Sequence, residues 1–355
     1  MLLTPPLRWG GSWAMVPAMK RLLALALLVI FVSVVPVHAQ PKFYEGKTVR
    51  IVVGFSAGGG YDTYSRLIGR HLGRHLPGKP TVIVENMPGA GSLIAANYLY
   101  KIAKPDGLTL GNFAGGLVLA QVLGQPGIEF DARKIAWLGV PSRDTSVCAV
   151  TRASGITSVE AWMAAKTPVK LGGTGTGAST DDVPRILAAT LGLPIQLVRG
   201  YKGTADIRLA AEAGELAGGC WQWESIKATW RQGLDSGDVA IMLQVTAKPL
   251  PDLPKVPLTT TLAKTDEARQ IIHAGIVIPS EIGRIYALPP ATPAERVQVL
   301  RAAFADTMRD PELLAEAKRS KLEIDPLNGE EATRLVNELF KLDPAISAKL
   351  KGILK

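Results

Sequence analysis

Hydrophobic positions along the chain fall into short β-branched runs, separated by stretches in which apolar residues recur every three or four positions. The short runs predict strands at 48–54, 81–85, 108–112, 135–139, 146–150, 169–172, 195–199, 217–221 and 239–244, because Val, Ile and Thr pack well on a pleated surface. The stretches between them predict helices. Thr157 with Glu160 reads as a capping box, Thr292-Pro293 with Glu295 as a second, and Asp310-Pro311 as a cap followed by a first-turn proline. Gly192 and Gly214 each follow a helical run, where a left-handed residue often ends a helix. Strands alternating with helices predict an α/β fold built on parallel sheets. The C-terminal third changes character, with helices expected at 293–309, 311–320 and 330–341 and scarcely a strand. Before it, residues 248–257 hold four prolines in ten positions, an extended segment suited to a crossing between domains. No repeat with a period of 20–50 residues is present.

One apolar run stands apart. Residues 22–35 are apolar except for Ser33, preceded by Met19-Lys20-Arg21 and followed by Val37-His38-Ala39. A bilayer span needs roughly 20 apolar residues, so these 14 fall short of one. The basic flank and the small-x-small site instead predict a secretory signal peptide cleaved after Ala39, with an uncleaved anchor as the alternative. Residues 1–18 fit neither signal nor domain, and translation is expected to begin at Met15 or Met19. The mean hydropathy of +0.17 owes much to this segment. Removing 1–39 discards Arg8, Lys20 and Arg21 with no acidic residue, so the net charge falls from +9 to +6 on 316 residues. That length suggests two domains. The basic excess lies in no run of five or six, which disfavours nucleic acid; a mild positive field suits small anions.

Chemistry-bearing residues are scarce. Two cysteines, Cys148 and Cys220, exclude a disulfide scaffold and a four-thiolate zinc site; a single disulfide and a pair of buried thiols both fit. His71 and His75 have metal-ligand spacing without the glutamate of H-E-x-x-H, so they read as a solvated helix face beside Arg70 and Arg74, and no metal is expected. No G-x-S-x-G places a catalytic serine. Asp181-Asp182 could be a carboxylate pair, but acids in a first helical turn more often serve the helix dipole. The most informative segment is Ile51-Val52-Val53-Gly54-Phe55-Ser56-Ala57-Gly58-Gly59-Gly60-Tyr61-Asp62, a buried strand running through glycines into an amphipathic helix. Glycines admit a ligand close to the backbone, and free N–H groups at a helix start favour an anion. The loop matches neither GxGxxG nor GxxxxGK[ST], so no nucleotide cofactor is expected.

Further motifs follow in order: Val84-Glu85-Asn86-Met87-Pro88-Gly89-Ala90-Gly91, Lys104-Pro105-Asp106-Gly107-Leu108-Thr109-Leu110, Leu171-Gly172-Gly173-Thr174-Gly175-Thr176-Gly177-Ala178-Ser179, Tyr201-Lys202-Gly203 and Leu250-Pro251-Asp252-Leu253-Pro254. Together they resemble the Bug family of periplasmic solute receptors, the extracytoplasmic component of tripartite tricarboxylate transporters. The resemblance covers essentially the whole chain after the export segment. It implies a periplasmic-binding-protein fold of type II kind, with two α/β lobes, two crossovers and a cleft that closes on a small carboxylate. Lobe 1 would comprise 40–140 plus 251–355, and lobe 2 would comprise 141–250. The family holds its ligand mainly with backbone N–H groups and water. Carried over, the first lobe would supply Phe55, Ser56, Ala57, Gly58, Gly59 and Asp62, with the loop at Ala114-Gly115. The second would supply Thr174, Gly175, Thr176, Ala178, Ser179 and Thr180, with Tyr201 and Gly203. The partners implied are the carboxylate and the membrane subunits of a transporter, served by a monomeric receptor.

The sequence also departs from the family pattern. Members commonly carry proline where Ser56 or Ala57 stands, and often histidine where Asp181-Asp182 stand. Cys220-Trp221-Gln222-Trp223-Glu224 replaces an apolar-Asp-Asn type stretch. Two acids and two tryptophans near the pocket argue against a simple dicarboxylate; Trp221 or Trp223 could stack on a larger ligand or simply pack between lobes. An exported hydrolase-like α/β enzyme and a sensory receptor for the same ligand class are the alternative functions.

Overall fold

The computed structural model describes residues 43–246 and 248–355. The export segment expected over 1–39 lies outside the described residues. All nine expected strands form, within two residues at either end: β1 (Thr48–Val53), β2 (Thr81–Asn86), β3 (Thr109–Ala114), β4 (Ala136–Val140), β5 (Ser146–Thr151), β6 (Val169–Gly173), β7 (Ile195–Arg199), β8 (Gly218–Gln222) and β9 (Val239–Val245). Two more, β10 (Arg284–Leu288) and β11 (Leu327–Asn328), lie outside the nine expected strands and between or before the helices expected toward the C-terminus. The strands make one sheet of order β11-β4-β10-β3-β1-β2 and another of order β7-β6-β8-β5-β9.

Neither sheet is wholly parallel. β1 runs parallel to β2 and β3, and β6 parallel to β7 and β8. β10 runs against β3 and β4, and β5 against β8 and β9. The reason is geometric. The chain leaves the first sheet after β4 and enters the second at β5, then returns to the first at β10. A strand entered from the gap between sheets starts where its parallel neighbours end, so it must run the other way. Arg284 accordingly pairs with Ala114 at the end of β3, and Ser146 with Gln222 at the end of β8. The carboxyl ends of β1, β3, β6 and β8 thus face one gap, the side on which open α/β sheets bind ligands.

The helix Gly60–His75 buries Tyr64, Leu67, Ile68 and Leu72, and these side chains join the first sheet's apolar core. In the second sheet β5 alternates, with Val147 and Ala149 on one face and Cys148 and Val150 on the other. The return crossing differs from expectation. The proline-rich stretch folds back along edge strand β9, where the Gln244 side-chain amide donates to the carbonyls of Leu253 and Val256 and accepts from the Leu250 amide. It covers an exposed edge rather than joining lobes. Ala268, Ile271, Ile272 and Ile276 then pack in the second sheet's core, as do Leu350 and Leu354 at the C-terminus.

Local signals resolve similarly. Asp310 caps its helix by accepting the Glu312 amide, as expected, and Gly192 takes the left-handed C-cap. The cap expected at Thr157 is made by Ser158, which accepts the Ala161 amide; Thr292 instead donates to the Pro289 carbonyl. Cys148 and Cys220 sit directly opposite each other on β5 and β8 and form a disulfide. It closes a span of 72 residues, so Cys148→Ala is expected to cost about 2–4 kcal/mol of unfolding free energy in urea titrations, and reduction should match it. Equal stability of the reduced and oxidised protein would contradict this.

Candidate functional site

Two helices begin at the gap between the sheets. Gly60–His75 follows β1 with Gly59 as its N-cap, and Ser179–Leu191 follows β6 with Ala178 as its N-cap. Neither start carries a side-chain cap, so each leaves backbone N–H groups and a positive dipole end directed into the gap. Between them lies a cavity of about 10 Å³, lined by Phe55, Gly59, Gly60 and Tyr61 from one side and Thr174, Ala178, Ser179, Thr180, Thr204 and Gln222 from the other. A second chamber of about 30 Å³ shares Tyr61, Ser179 and Gln222 with the first and extends to Gly115, Gly116, Asp182, Ser280 and Gly283. These are volumes of one or a few waters. The cleft is closed.

Glycines make this closure possible. A Cβ on Gly91 would stand 2.7 Å from the Gly175 oxygen, one on Gly116 would stand 2.4 Å from the Gly177 oxygen, and one on Gly60 would overlap the Ser225 side chain. The Gly91 amide donates to the Thr174 carbonyl at 2.9 Å and the Ser56 amide to the Lys202 carbonyl at 3.0 Å. The Ser56 hydroxyl donates to Asp206 at 2.7 Å. Tyr61 reaches the Gly283 carbonyl at 2.6 Å, tying the first helix to the return crossing.

The residues expected at the site fall in different places. Phe55, Gly59, Gly115, Thr174, Ala178, Ser179 and Thr180 line the chambers. Ser56, Gly175, Thr176 and Gly203 meet the opposing loops instead: Gly203 packs on Ser56, and Gly175 and Thr176 on Gly91. Ala57 and Gly58 are exposed, and Tyr201 is half-buried, outside both chambers. Asp62 shapes its loop. It accepts from the Gly58 amide and Arg66 at 2.9 Å and from Asn86 at 3.0 Å. Burial alone would raise its carboxyl, yet these bonds hold it below its ordinary value.

Trp221 and Trp223 line neither chamber; of the two expectations, stacking on a ligand or packing, the structure shows packing. Trp221 stacks on Trp230 at 5.5 Å within the second sheet's core, and Trp223 donates to Asp252 at 3.3 Å. Polar lining also comes from residues not expected there, namely Tyr61, Thr204, Gln222 and Ser280, and from Asp182, which was expected as half of a carboxylate pair or as a helix-dipole partner and does stand in the first turn of its helix. Gln222 and Thr204 each follow a recognisable strand or loop, but nothing in their spacing marks them. Gly275 and Ile276 reach the larger chamber from a π-helical turn, His273–Val277. Ser179 accepts a hydrogen bond from Gln222 at 2.9 Å, a side-chain amide that cannot act as a base toward it.

Behind Tyr61 stands Arg284, fully buried and ion-paired with Asp144, with its guanidinium 4.3 Å from the Tyr64 ring centroid. Burial works against its charge, but Asp144, Tyr64 and Glu224 more than offset this and keep it protonated. Arg284 lines neither chamber, and no Lys, Arg or His does so among the described residues. Binding of an anion here must rest on backbone amides, hydroxyls and helix dipoles.

Residues 66–351 match the model of the tripartite tricarboxylate transporter family receptor. The chain belongs to this receptor family. It is 27% identical over 338 residues, 94% of this chain, to a Cupriavidus necator protein of the UPF0065 group, covering 96% of that protein. It is 28% identical over 291 residues to an Agrobacterium vitis member of the same group, covering 79% of this chain and 77% of that one. Among solved structures, the periplasmic binding protein BugD superposes with a TM-score of 0.70 at 22% identity, covering 87% of this chain and 98% of that one. MatC from Rhodopseudomonas palustris with bound malate gives 0.67 at 19%, covering 87% and 99%. An R. palustris protein with adipate gives 0.68 at 22%, covering 86% and 98%. The shared fold is that of two-lobed binding proteins, and the family is one of solute receptors rather than enzymes.

Proposed function

We propose that this chain is an extracytoplasmic receptor that captures a small organic carboxylate by closing two lobes on it and delivers it to the membrane subunits of a tripartite transporter. The observation that carries this reading is the pair of uncapped helix starts, one from each sheet, facing a single cavity with no cationic side chain on its walls. Each start offers N–H donors and roughly half a positive charge to a carboxylate oxygen. Bringing the two together excludes water, which strengthens both attractions. An anion that both helices can share favours the closed form, since a ligand shifts an equilibrium by its differential affinity for the two states.

In this reading the lobes pivot on two crossings, one between β4 and β5 and one near Gly283. Malate and adipate, bound by the two R. palustris proteins, define the size of ligand to try first. Export through the segment at 22–39 to the periplasm, and action as a monomer, complete the proposal. Among the described residues no helix is long and apolar enough to cross a membrane.

A panel of mono-, di-, tri- and aromatic carboxylates at millimolar concentration should contain members that raise the melting temperature. Binding at 100 times Kd adds about 2.7 kcal/mol to stability. Thermal stability is a better readout than tryptophan emission, because none of the described tryptophans lines either of the two chambers at the helix starts. A flat response across the panel would contradict carboxylate capture.

A further inference from the structure

On the rim of the cleft, outside both chambers, Ser56 meets Asp206. Ser56 lies in the glycine loop that follows β1, and Asp206 lies in the first turn of the helix Thr204–Glu212, which follows β7. The serine hydroxyl donates to the carboxylate at 2.7 Å across 150 residues of chain. Beside it the Ser56 amide donates to the Lys202 carbonyl at 3.0 Å, and Gly203 leaves free the space in which a Cβ would collide with the serine oxygen. Both residues are half-buried, and among the described residues Asp206 has no other hydrogen bond and no ion pair. A carboxylate in a first helical turn already suits the helix dipole, so the hydroxyl is not needed to accommodate it. Its bond instead joins an element of one sheet to an element of the other.

We propose that Ser56 and Asp206 form a clasp that holds the lobes shut and so sets how long the receptor keeps its ligand. They are positioning residues, since neither lines a chamber. The proposal rests on the reading of the cleft as one that opens and closes. Opening would break this bond and return both groups to water. Hydrogen bonds to a charged group contribute more than neutral ones, and a bond made in one of two states shifts their equilibrium by its own worth. The bonds from the Ser56 amide to Lys202 and from the Gly91 amide to Thr174 also cross the gap, but they join backbone to backbone. The clasp is made by side chains, so a substitution removes it while leaving those bonds in place.

The test is amide hydrogen exchange of the protein without ligand, read at Gly91, whose amide donates to the Thr174 carbonyl across the gap and bonds to neither residue of the clasp. Exchange at such an amide follows the opening equilibrium. Ser56→Ala and Asp206→Ala should each speed exchange at Gly91 about tenfold while the amides of β3 stay unchanged. The double variant should also reach about tenfold, rather than the roughly hundredfold of two independent effects. Asp206→Asn, which keeps an acceptor oxygen, should stay within about threefold of the wild-type protein. Unchanged exchange at Gly91 in folded Ser56→Ala and Asp206→Ala proteins, or multiplied effects in the double variant, would overturn the clasp while leaving the receptor reading intact. Exchange at Gly91 as slow in the wild-type protein as in β3 would overturn both, because the lobes would then part only on unfolding.

Discussion

Replacing Arg284 by alanine is expected to lower the free energy of unfolding by about 3–5 kcal/mol in urea denaturation. The guanidinium is fully buried and pairs with Asp144, itself fully buried, across 140 residues of chain. Removing it leaves Asp144 without its cation and Glu224 without the charge that opposes its desolvation. It also removes the cation stacked on Tyr64. Asp144 precedes β5 on the outward crossing and Arg284 opens β10 after the return, so the pair ties the two crossings together. A loss below about 1 kcal/mol, the range of an exposed ion pair, would show that the pair contributes little.

Gly116→Val should have its effect on binding rather than folding. The added Cβ would stand 2.4 Å from the Gly177 oxygen on the opposing loop, a contact that the proposed closure of the lobes would have to make. Overpacking of this kind costs about 1–3 kcal/mol, and each 1.4 kcal/mol is tenfold, so carboxylate affinity should fall on the order of 100-fold. The ligand-free melting temperature should stay near that of the wild-type protein, since the position begins a helix in an ordinary backbone conformation. Wild-type affinity in this variant would mean that the loops at 115–116 and 174–178 do not approach in the liganded state.

Most of the secondary structure could be read from the chain because its strands are apolar and β-branched, as in Ile51-Val52-Val53. β10 could not. It opens with Arg284, and the carboxylate that makes a buried arginine tolerable lies 140 residues away. The antiparallel entries β5 and β10 follow from where the chain crosses between sheets, which no local pattern records. At the site, the glycine loops were legible since close backbone approach requires glycine, and both loops lie at the gap between the sheets. Side chains facing the chambers were not. Trp221 read as a platform through its nearness to the strand end, but strand alternation turns it into the core against Trp230. Asp181 and Asp182 both stand in the first turn of their helix, as a dipole role requires, and what the sequence did not show is that Asp182 also reaches the larger chamber.

Capture between the two helix starts is tested most directly by the electron density of the protein crystallised with the carboxylate that raises its melting temperature most. The expected result is a carboxylate between residues 55–61 and 174–180, its oxygens at about 2.7–3.2 Å from backbone amides. A ligand seated only outside this cleft, or held there chiefly by lysine or arginine side chains, would contradict it.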